Sequence, residues 1–311
     1  MRRVLLVGAG EVGTKHLGAL AGVGGMTVVG VADPSPDVEA PAGVPLLTRW
    51  QNALPALGPD LVVVATPPGI ALEVARAAAR GGATVLVEKP VTLDPAALAE
   101  PDPADGRIYV AFQPHFAHGL RELLELAPVV HRAEVTLICR RDQPYYRTWR
   151  TRMATSGGVL HQQAIHGLAL ALRLLPSDPV TSCTARIRRE RKWAESEDHV
   201  TAHVSFEDGA VLTIDARVDG DQTPRHEVAL VLADGQRLHI RGRNLEAGLG
   251  RSSAAPTDQT LRHAMYRALP APGGRPVHPC LFPLPALRRS LEVIDHVYRA
   301  AHQVRPADSA A

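Results

Sequence analysis

The chain has 311 residues, 45% of them hydrophobic and 21% charged, with a formal net charge of +2. That length holds two domains of ordinary size, and the composition is that of a folded globular protein, not a disordered one. The near-neutral charge gives no field suited to nucleic acid. Cys139, Cys183 and Cys280 are isolated, so neither a disulfide framework nor a zinc site is indicated; the expectation is a reducing, cytoplasmic setting with no metal. The apolar run after Met1-Arg2-Arg3 is a short strand broken by glycines, neither a signal peptide nor a membrane span.

Val4-Leu5-Leu6-Val7 predicts a first strand. It runs into Gly8-Ala9-Gly10-Glu11-Val12-Gly13, a helix from Val12 to Ala21, a strand from Thr27 to Ala32, and Asp33. Strand, G-x-G-x-x-G turn, helix and an acid about 20 residues later form the fingerprint of a dinucleotide-binding βαβ unit. Gly8 allows the tight turn. Gly10, with Glu11 and Val12 behind it, leaves room for a pyrophosphate at the helix N-terminus, and Gly13 lets helix and strand pack closely. Asp33 would accept hydrogen bonds from the adenosine ribose hydroxyls and repel a 2′-phosphate, favouring NAD over NADP. A purely structural glycine turn is the alternative.

A Pro-rich loop from Pro34 to Pro45 and a helix near Arg49 to Leu57 lead to a strand from Asp60 to Ala65. That strand is apolar throughout, as expected when helices cover both faces of a sheet. Thr66-Pro67-Pro68 ends it; a helix from Ile70 to Arg80 follows, and the strand Thr84 to Val87 carries Glu88-Lys89-Pro90 at its end. Ligands of open α/β sheets bind beyond the carboxyl ends of the strands, which places Thr66, Pro67, Glu88 and Lys89 beside a nicotinamide. From about Ala117 the pattern becomes β-branched or alternating. Strands are predicted over Ala133 to Arg141, Ser182 to Arg189, His199 to Phe206, Ala210 to Ala216, Glu227 to Ala233 and Arg237 to Arg241, with turns at Glu207-Asp208-Gly209 and Asp234-Gly235. Helices over Val159 to Leu175 and Leu284 to His302 complete an α+β region with a mostly antiparallel sheet. The division is residues 1–116 and 117–311, with the C-terminal helix packing back on the first domain. Flexible connectors are expected near Glu100 to Gly106 and Pro270 to Pro279.

The G-x-G-x-x-G turn, Ala65-Thr66-Pro67-Pro68, Glu88-Lys89-Pro90 and the segment Gly157-Gly158-Val159-Leu160-His161-Gln162-Gln163-Ala164-Ile165-His166 occur in this order along nearly the whole chain. In these features the sequence resembles the Gfo/Idh/MocA family (glucose-fructose oxidoreductase, inositol dehydrogenase). The resemblance implies a Rossmann doubly wound parallel sheet followed by an open-faced, mostly antiparallel sheet domain. It further implies homodimers or homotetramers formed through that sheet. The family usually has a full helix between Pro90 and Tyr109, but here Pro95, Pro101 and Pro103 leave room only for a short one.

Hydride exchange at a secondary alcohol carbon also requires a proton to leave or reach the oxygen. Lys89 is the first catalytic candidate, since an ammonium stabilises a developing alkoxide and a neutral amine accepts the proton; the alternative is a solvated lysine at a strand end. His166 is the second, as proton donor, acceptor or relay, against a satisfied core histidine. The family usually has Asp or Asn four residues before that histidine. Gln162 stands there and can hydrogen-bond a hydroxyl but cannot act as a base. Gln113 lies where the family places an amide near the nicotinamide, with an ordinary loop residue as the alternative. Tyr146, Trp149 and Arg150 form either a sugar-stacking and anion-pairing wall or a hairpin rim. His16, on the first helix, is a candidate cofactor contact. His161 and His166, five apart, do not share a helix face, which argues against a metal pair. The basic run Arg186, Arg188, Arg189, Arg191 and Lys192 reads as a solvated strand end, with contact to an anionic substrate as the alternative.

The leading expectation is an NAD(P)-dependent oxidoreductase acting on a sugar, cyclitol or nucleotide-activated sugar. The alternatives are an enzyme using tightly bound NAD transiently for net epimerisation, elimination or glycoside cleavage, and a non-catalytic NAD-binding sensor or scaffold.

Overall fold

A computed structural model describes residues 1–176, 178–220, 223–246, 255–275 and 278–303. They fall into two compact units: Met1–Thr92 with Ala96–Ala117 and Pro256–Leu287, and Leu93–Pro95 with His118–Ala255 and Arg288–Ala311.

The first unit begins β1 (Arg2–Val7), α1 (Glu11–Leu20), β2 (Met26–Ala32), β3 (Leu46–Leu47), α2 (Trp50–Leu57), β4 (Leu61–Val64), α3 (Pro68–Arg80), β5 (Thr84–Val87) and β6 (Ile108–Val110). The strands pair in parallel in the order β3-β2-β1-β4-β5-β6, the doubly wound arrangement of a dinucleotide-binding fold. Leu61–Val64 and Thr84–Val87 are buried throughout, because the sheet is covered on both faces. In α3, Pro68 takes the first helical position, where its missing N–H costs nothing. The helix then buries Ala71, Val74, Ala75, Ala78 and Ala79, one face at helical spacing.

The second unit contains α4 (Leu120–Leu126), β7 (Val130–Ile138), α5 (Met153–Ser156), α6 (Ile165–Leu174), β8 (Val180–Arg188), β9 (His199–Phe206), β10 (Val211–Arg217), β11 (Arg225–Leu232), β12 (Arg237–Arg241) and β13 (Asn244–Glu246). Its sheet runs β13-β12-β11-β7-β10-β9-β8, antiparallel except for the parallel pair β7 and β10. Register makes the two faces explicit. Ala185, Ala202, Ile214, Val135, Val228, Ile240 and Leu245 form one row across all seven strands, and every member is buried. The neighbouring row Arg186, Thr201, Asp215, Thr136, Glu227 and Arg241 points the other way and stays half-buried or exposed, as the period of two requires.

The remaining elements are α7 (Asp258–Ala268), β14 (Phe282–Pro283) and α8 (Leu287–Gln303). Here the expected two-block division is corrected. Pro256–Leu287 belongs to the first unit, because Met265, Tyr266, Leu269 and Leu281 lie in its hydrophobic core and β14 adds an antiparallel edge strand beside β6. Nor is the C-terminal helix the segment that returns, since residues from Arg288 onward group with the second unit. The expected connector near Glu100 to Gly106 is likewise ordered. Pro103–Arg107 forms a 3₁₀ turn capped by Asp102, and Arg76 forks onto the buried Asp105 with two 2.9 Å bonds. Of the connector expected near Pro270 to Pro279, residues 276 and 277 lie outside the described set; Cys280, just beyond it, is buried. Two 3₁₀ turns, Pro95–Leu98 and Pro103–Arg107, stand where a full helix was not expected to fit.

Two glycines of α1 separate packing from propensity. A Cβ on Gly13 would overlap the carbonyl oxygen of Gly8, whereas one on Gly18 meets nothing within 4 Å. Gly13→Ala is therefore expected to destabilise by about 2 kcal/mol or more and lower Tm by several degrees. Gly18→Ala should stabilise by about 0.5–1 kcal/mol. Thermal unfolding of both variants checks this; equal effects would mean that the Gly8–Gly13 approach does not constrain the turn.

Candidate functional site

In the first unit, Gly8, Asp33, Thr66 and Glu88 follow the carboxyl ends of β1, β2, β4 and β5, while Glu11 and Val12 open α1. Gly8, at φ +89°, turns the chain from β1 toward α1. A Cβ there would lie 2.6 Å from Ala65 O, so the ends of β1 and β4 approach as only a glycine allows. Gly10 is exposed, with nothing within 4 Å of its Cβ position, and α1 has no side-chain cap. Its first N–H groups, including those of Glu11 and Val12, stay available to an anion. Asp33, half-buried at the end of β2, accepts Ala9 N–H on Oδ2 (2.7 Å) and Ser35 N–H on Oδ1 (2.9 Å). Each oxygen keeps a lone pair for a further donor. Thr66 Oγ1, beside Pro67 at the end of β4, is buried without a hydrogen-bond partner. An open glycine cradle, an uncapped helix, an acid with spare acceptor capacity and an orphaned hydroxyl fit a dinucleotide.

Behind this rim lies a polar network that sequence reading did not foresee. His16 is fully buried: its Nδ1 meets the Tyr266 hydroxyl at 2.7 Å and its Nε2 meets Glu88 Oε1 at 3.0 Å. The other Glu88 oxygen accepts Lys89 N–H at 3.2 Å. Burial alone would raise the Glu88 carboxyl, but the hydrogen bond from His16 and the charges of His16, Lys89 and Arg262 outweigh it and hold Glu88 below its ordinary value. Burial, and then the Glu88 charge, push Tyr266 well above its ordinary value, so its hydroxyl stays protonated. His16 is thus a supporting residue and not the cofactor contact expected of it. Gln113, half-buried after β6, donates to Ala111 O (2.7 Å) and accepts from Arg262 (3.2 Å). Arg262 and Tyr266, one turn apart on α7, therefore back both Gln113 and Glu88. Neither was legible, because α7 lies about 150 residues from the loops it supports.

In the second unit, the helix expected over Val159 to Leu175 begins as a π-helical turn, Leu160–Ala164, and continues as α6; π turns cluster at functional sites. His166, half-buried, lies in the first turn of α6. Glu197 holds the start of this helix. Its Oε1 accepts Val159 N–H (2.7 Å) and the Tyr298 hydroxyl (2.5 Å), while Leu160 N–H donates to that hydroxyl (3.3 Å). A Cβ on Gly158 would overlap both side chains, which explains the second glycine of the pair. His161 is buried, its ring stacked on Tyr298 at 5.7 Å. The Gln162 amide nitrogen donates to Ser156 Oγ (3.0 Å) and Gly157 O (2.9 Å), which ties this side chain to the glycine turn.

The aromatic wall is also rearranged. Tyr146 is buried, with the Arg191 guanidinium 4.4 Å from its ring and Trp193 packed at 5.2 Å, and cannot serve as a stacking surface. Arg191 in turn is ion-paired to the buried Asp198, so this member of the basic run is not solvated. Its neighbour Tyr145 occupies the more open position: Arg141 and Arg150 lie 5.0 and 5.1 Å from its ring centroid, and Arg150 lies 4.5 Å from that of Trp149. Among the described residues no cluster of three or more His, Cys, Asp or Glu could hold a metal ion. None of the described helices is long and apolar enough to cross a membrane.

The fold and the strand-end cradle define a Rossmann dinucleotide-binding domain joined to an α+β sheet domain. Residues 2–101 match the family described as "Oxidoreductase family, NAD-binding Rossmann fold", and residues 130–244 match the "GFO/IDH/MocA C-terminal domain". The chain belongs to the Gfo/Idh/MocA oxidoreductase family. It is 28% identical over 211 residues to inositol 2-dehydrogenase of Rhizobium meliloti, covering 64% of this chain and 63% of that relative's length. Among solved structures it is similar to the WlbA dehydrogenase of Bordetella pertussis in complex with NADH and UDP-GlcNAcA (TM-score 0.75, 23% identity, 99% of each chain). It is also similar to GenD2 from gentamicin A biosynthesis in complex with NAD (TM-score 0.78, 22% identity, 100% of this chain and 97% of that one).

Burial lowers His161 from 6.5 to about 4. Its neutral form is favoured in the fold, so its contribution to stability is complete above the unfolded value of 6.5 and is lost as pH falls toward 4. His161→Phe, which keeps a ring on Tyr298 but cannot titrate, should lose roughly 3 kcal/mol less than the wild type between pH 7 and 4. Urea unfolding at both pH values measures this; parallel losses would show that His161 does not titrate as its burial implies.

Proposed function

We propose that the protein is an NAD-dependent dehydrogenase or reductase acting on a secondary alcohol or ketone of a sugar, cyclitol or nucleotide-activated sugar. The observation that carries the cofactor choice is Asp33: its carboxylate oxygens are anchored by two backbone N–H groups and retain acceptor capacity. They suit ribose hydroxyls, and their charge disfavours the 2′-phosphate of NADP. Gly8, Gly10 and the first turn of α1 would hold the pyrophosphate, with Thr66, Pro67, Glu88, Lys89 and Gln113 toward the nicotinamide. When bound, NAD supplies the hydride acceptor or donor. Lys89 and His166 handle the proton of the substrate oxygen. Glu88 helps by accepting the backbone N–H of Lys89 and so fixing that residue's main chain. With the Gln162 amide nitrogen engaged elsewhere and no carboxylate at that position, proton transfer falls to Lys89 and His166. The relatives that support the substrate class are the inositol 2-dehydrogenase and the nucleotide-sugar complex.

A nicotinamide fluorescence titration should give tighter binding of NADH than of NADPH, and Asp33→Ala should narrow or reverse that preference. Lys89→Ala should abolish most turnover while NADH affinity stays within about threefold. Equal loss of cofactor binding in Lys89→Ala would make Lys89 structural, and failure of the wild type to bind either nucleotide would end the oxidoreductase reading.

The polar sheet row of the second unit is the surface we assign to self-association. Solution light scattering should give two or four times the 33.3 kDa chain mass. Thr136→Arg, central in that row, should reduce the mass to that of one chain. A monomeric wild type would contradict the assignment.

A further inference from the structure

On the reading of the protein as a dehydrogenase of sugars or related polyols, we infer that its second unit carries an oxyanion subsite. It is built on Arg141, Tyr145, Arg150 and Gln163, and the substrate presents a carboxylate or a phosphate to it.

The side chains are organised before any ligand arrives. Gln163, only 9% exposed, accepts from Arg141 Nη2 at 3.0 Å and donates to the Tyr145 hydroxyl at 2.6 Å. One amide thus sets the guanidinium and the ring together. Arg150 approaches the same ring and that of Trp149. Two half-buried guanidinium groups therefore converge on one tyrosine.

The cluster also lacks a counter-charge. Five other arginines of the second unit have an acid partner: Arg140 has Asp142, Arg188 and Arg217 have Asp219, Arg191 has Asp198 and Arg241 has Glu246. Among the described residues no carboxylate pairs with Arg141 or Arg150. Arg191 is the internal control, since it too stacks on aromatic rings, those of Tyr146 and Trp193, yet it is given the buried Asp198. Arg289, stacked over Phe206, has its donors taken up by the Leu172, Leu175 and Pro176 carbonyls instead, so both of these stacked arginines find acceptors within the fold. Arg141 Nε is buried with no hydrogen-bond partner. An oxyanion would satisfy it, with the planar fork of Arg150 as a second donor group. Gln163 precedes His166 by three residues, about one helical turn, so the subsite adjoins the residue to which proton handling is assigned.

A carboxylate on the sugar and a phosphoryl group share this chemistry, and calorimetry separates them. The NADH-loaded full chain is titrated with D-glucuronate, D-glucose 6-phosphate, uridine diphosphate and, as the uncharged reference, D-glucose. At least one anionic probe should bind about tenfold or more tighter than glucose, with affinity that falls as salt rises. Preference for glucuronate identifies a uronic acid, for glucose 6-phosphate a sugar phosphate, and for uridine diphosphate a nucleotide-activated sugar. Arg141→Gln and Arg150→Gln should each remove most of the advantage, with Arg150→Lys retaining part of it. If Arg141→Gln fails to fold, the exposed-side Arg150 variants decide alone. Binding of glucose as tight as that of every anion, or an anion preference unchanged in the arginine variants, overturns the subsite. A protein that binds no NADH but keeps an arginine-dependent anion preference would lose the dehydrogenase reading while retaining the subsite.

Discussion

The constraint on which the rest of the structure depends is the burial of Glu88 in the first unit and Glu197 in the second. Each is made tolerable by a tyrosine that stays protonated. An ionised carboxylate taken out of water is costly unless donors surround it. Glu88 has His16 and the Lys89 backbone N–H as donors, with Tyr266 behind His16. Glu197 has Val159 N–H and the Tyr298 hydroxyl. Both tyrosines are driven above their ordinary values by burial and by the neighbouring carboxylate, which keeps each phenol protonated and so adds no second negative charge. Glu88 lies next to Lys89 in sequence, and Glu197 secures the first turn of the helix that carries His166. Side chains assigned to chemistry are thereby attached to the least mobile kind of anchor, a buried network in which the loss of one partner leaves another group unsatisfied.

These networks also explain why the chain is not simply two consecutive blocks. Tyr266 and Arg262 can meet Glu88 and Gln113 only if the chain returns to the first unit after building its second sheet. The return also fills the first core with Met265, Leu269 and Leu281, whose burial contributes roughly 1.5–3 kcal/mol apiece against exposure. The edge strand β14 then covers the free side of β6 and shortens an open sheet edge that would otherwise invite pairing with another chain.

Local features were legible in the sequence and long-range pairings were not. Apolar runs such as Val4–Val7 and Leu61–Val64 announced strands covered on both faces. Alternation over His199 to Phe206 announced a strand covered on one, and the glycines at 8, 10 and 13 announced the turn. Each of these signals lies within a dozen residues. The fate of Tyr146 against Tyr145 could not be read, because adjacent aromatics in an irregular turn carry no periodicity to say which faces inward. Arg191 looked solvated because Asp198 is reached only through the bend that follows β8. Gln162 matched a family position, but its partners, Ser156 and Gly157, exist only once the glycine pair has folded. His16 had the residue type of a cofactor contact, yet its burial followed from the return of α7.

The arrangement of charge in the second unit is consistent with recognition by subtraction. Arginines that support the fold are given acceptors by it: Asp198 for Arg191, Asp219 for Arg188 and Arg217, and the carbonyls of Leu172, Leu175 and Pro176 for Arg289. Where Arg141 and Arg150 meet over Tyr145, Gln163 supplies an amide in place of a carboxylate. An amide orients a guanidinium without neutralising it, so the pair keeps its charge for a ligand at some expense in stability, as expected when strain and unsatisfied groups collect at functional sites. Replacement of Gln163 by Glu would be isosteric and would return the missing charge, stabilising the fold while closing the subsite to anions. Its neutral amide is therefore the feature of this turn that most directly separates binding from structure.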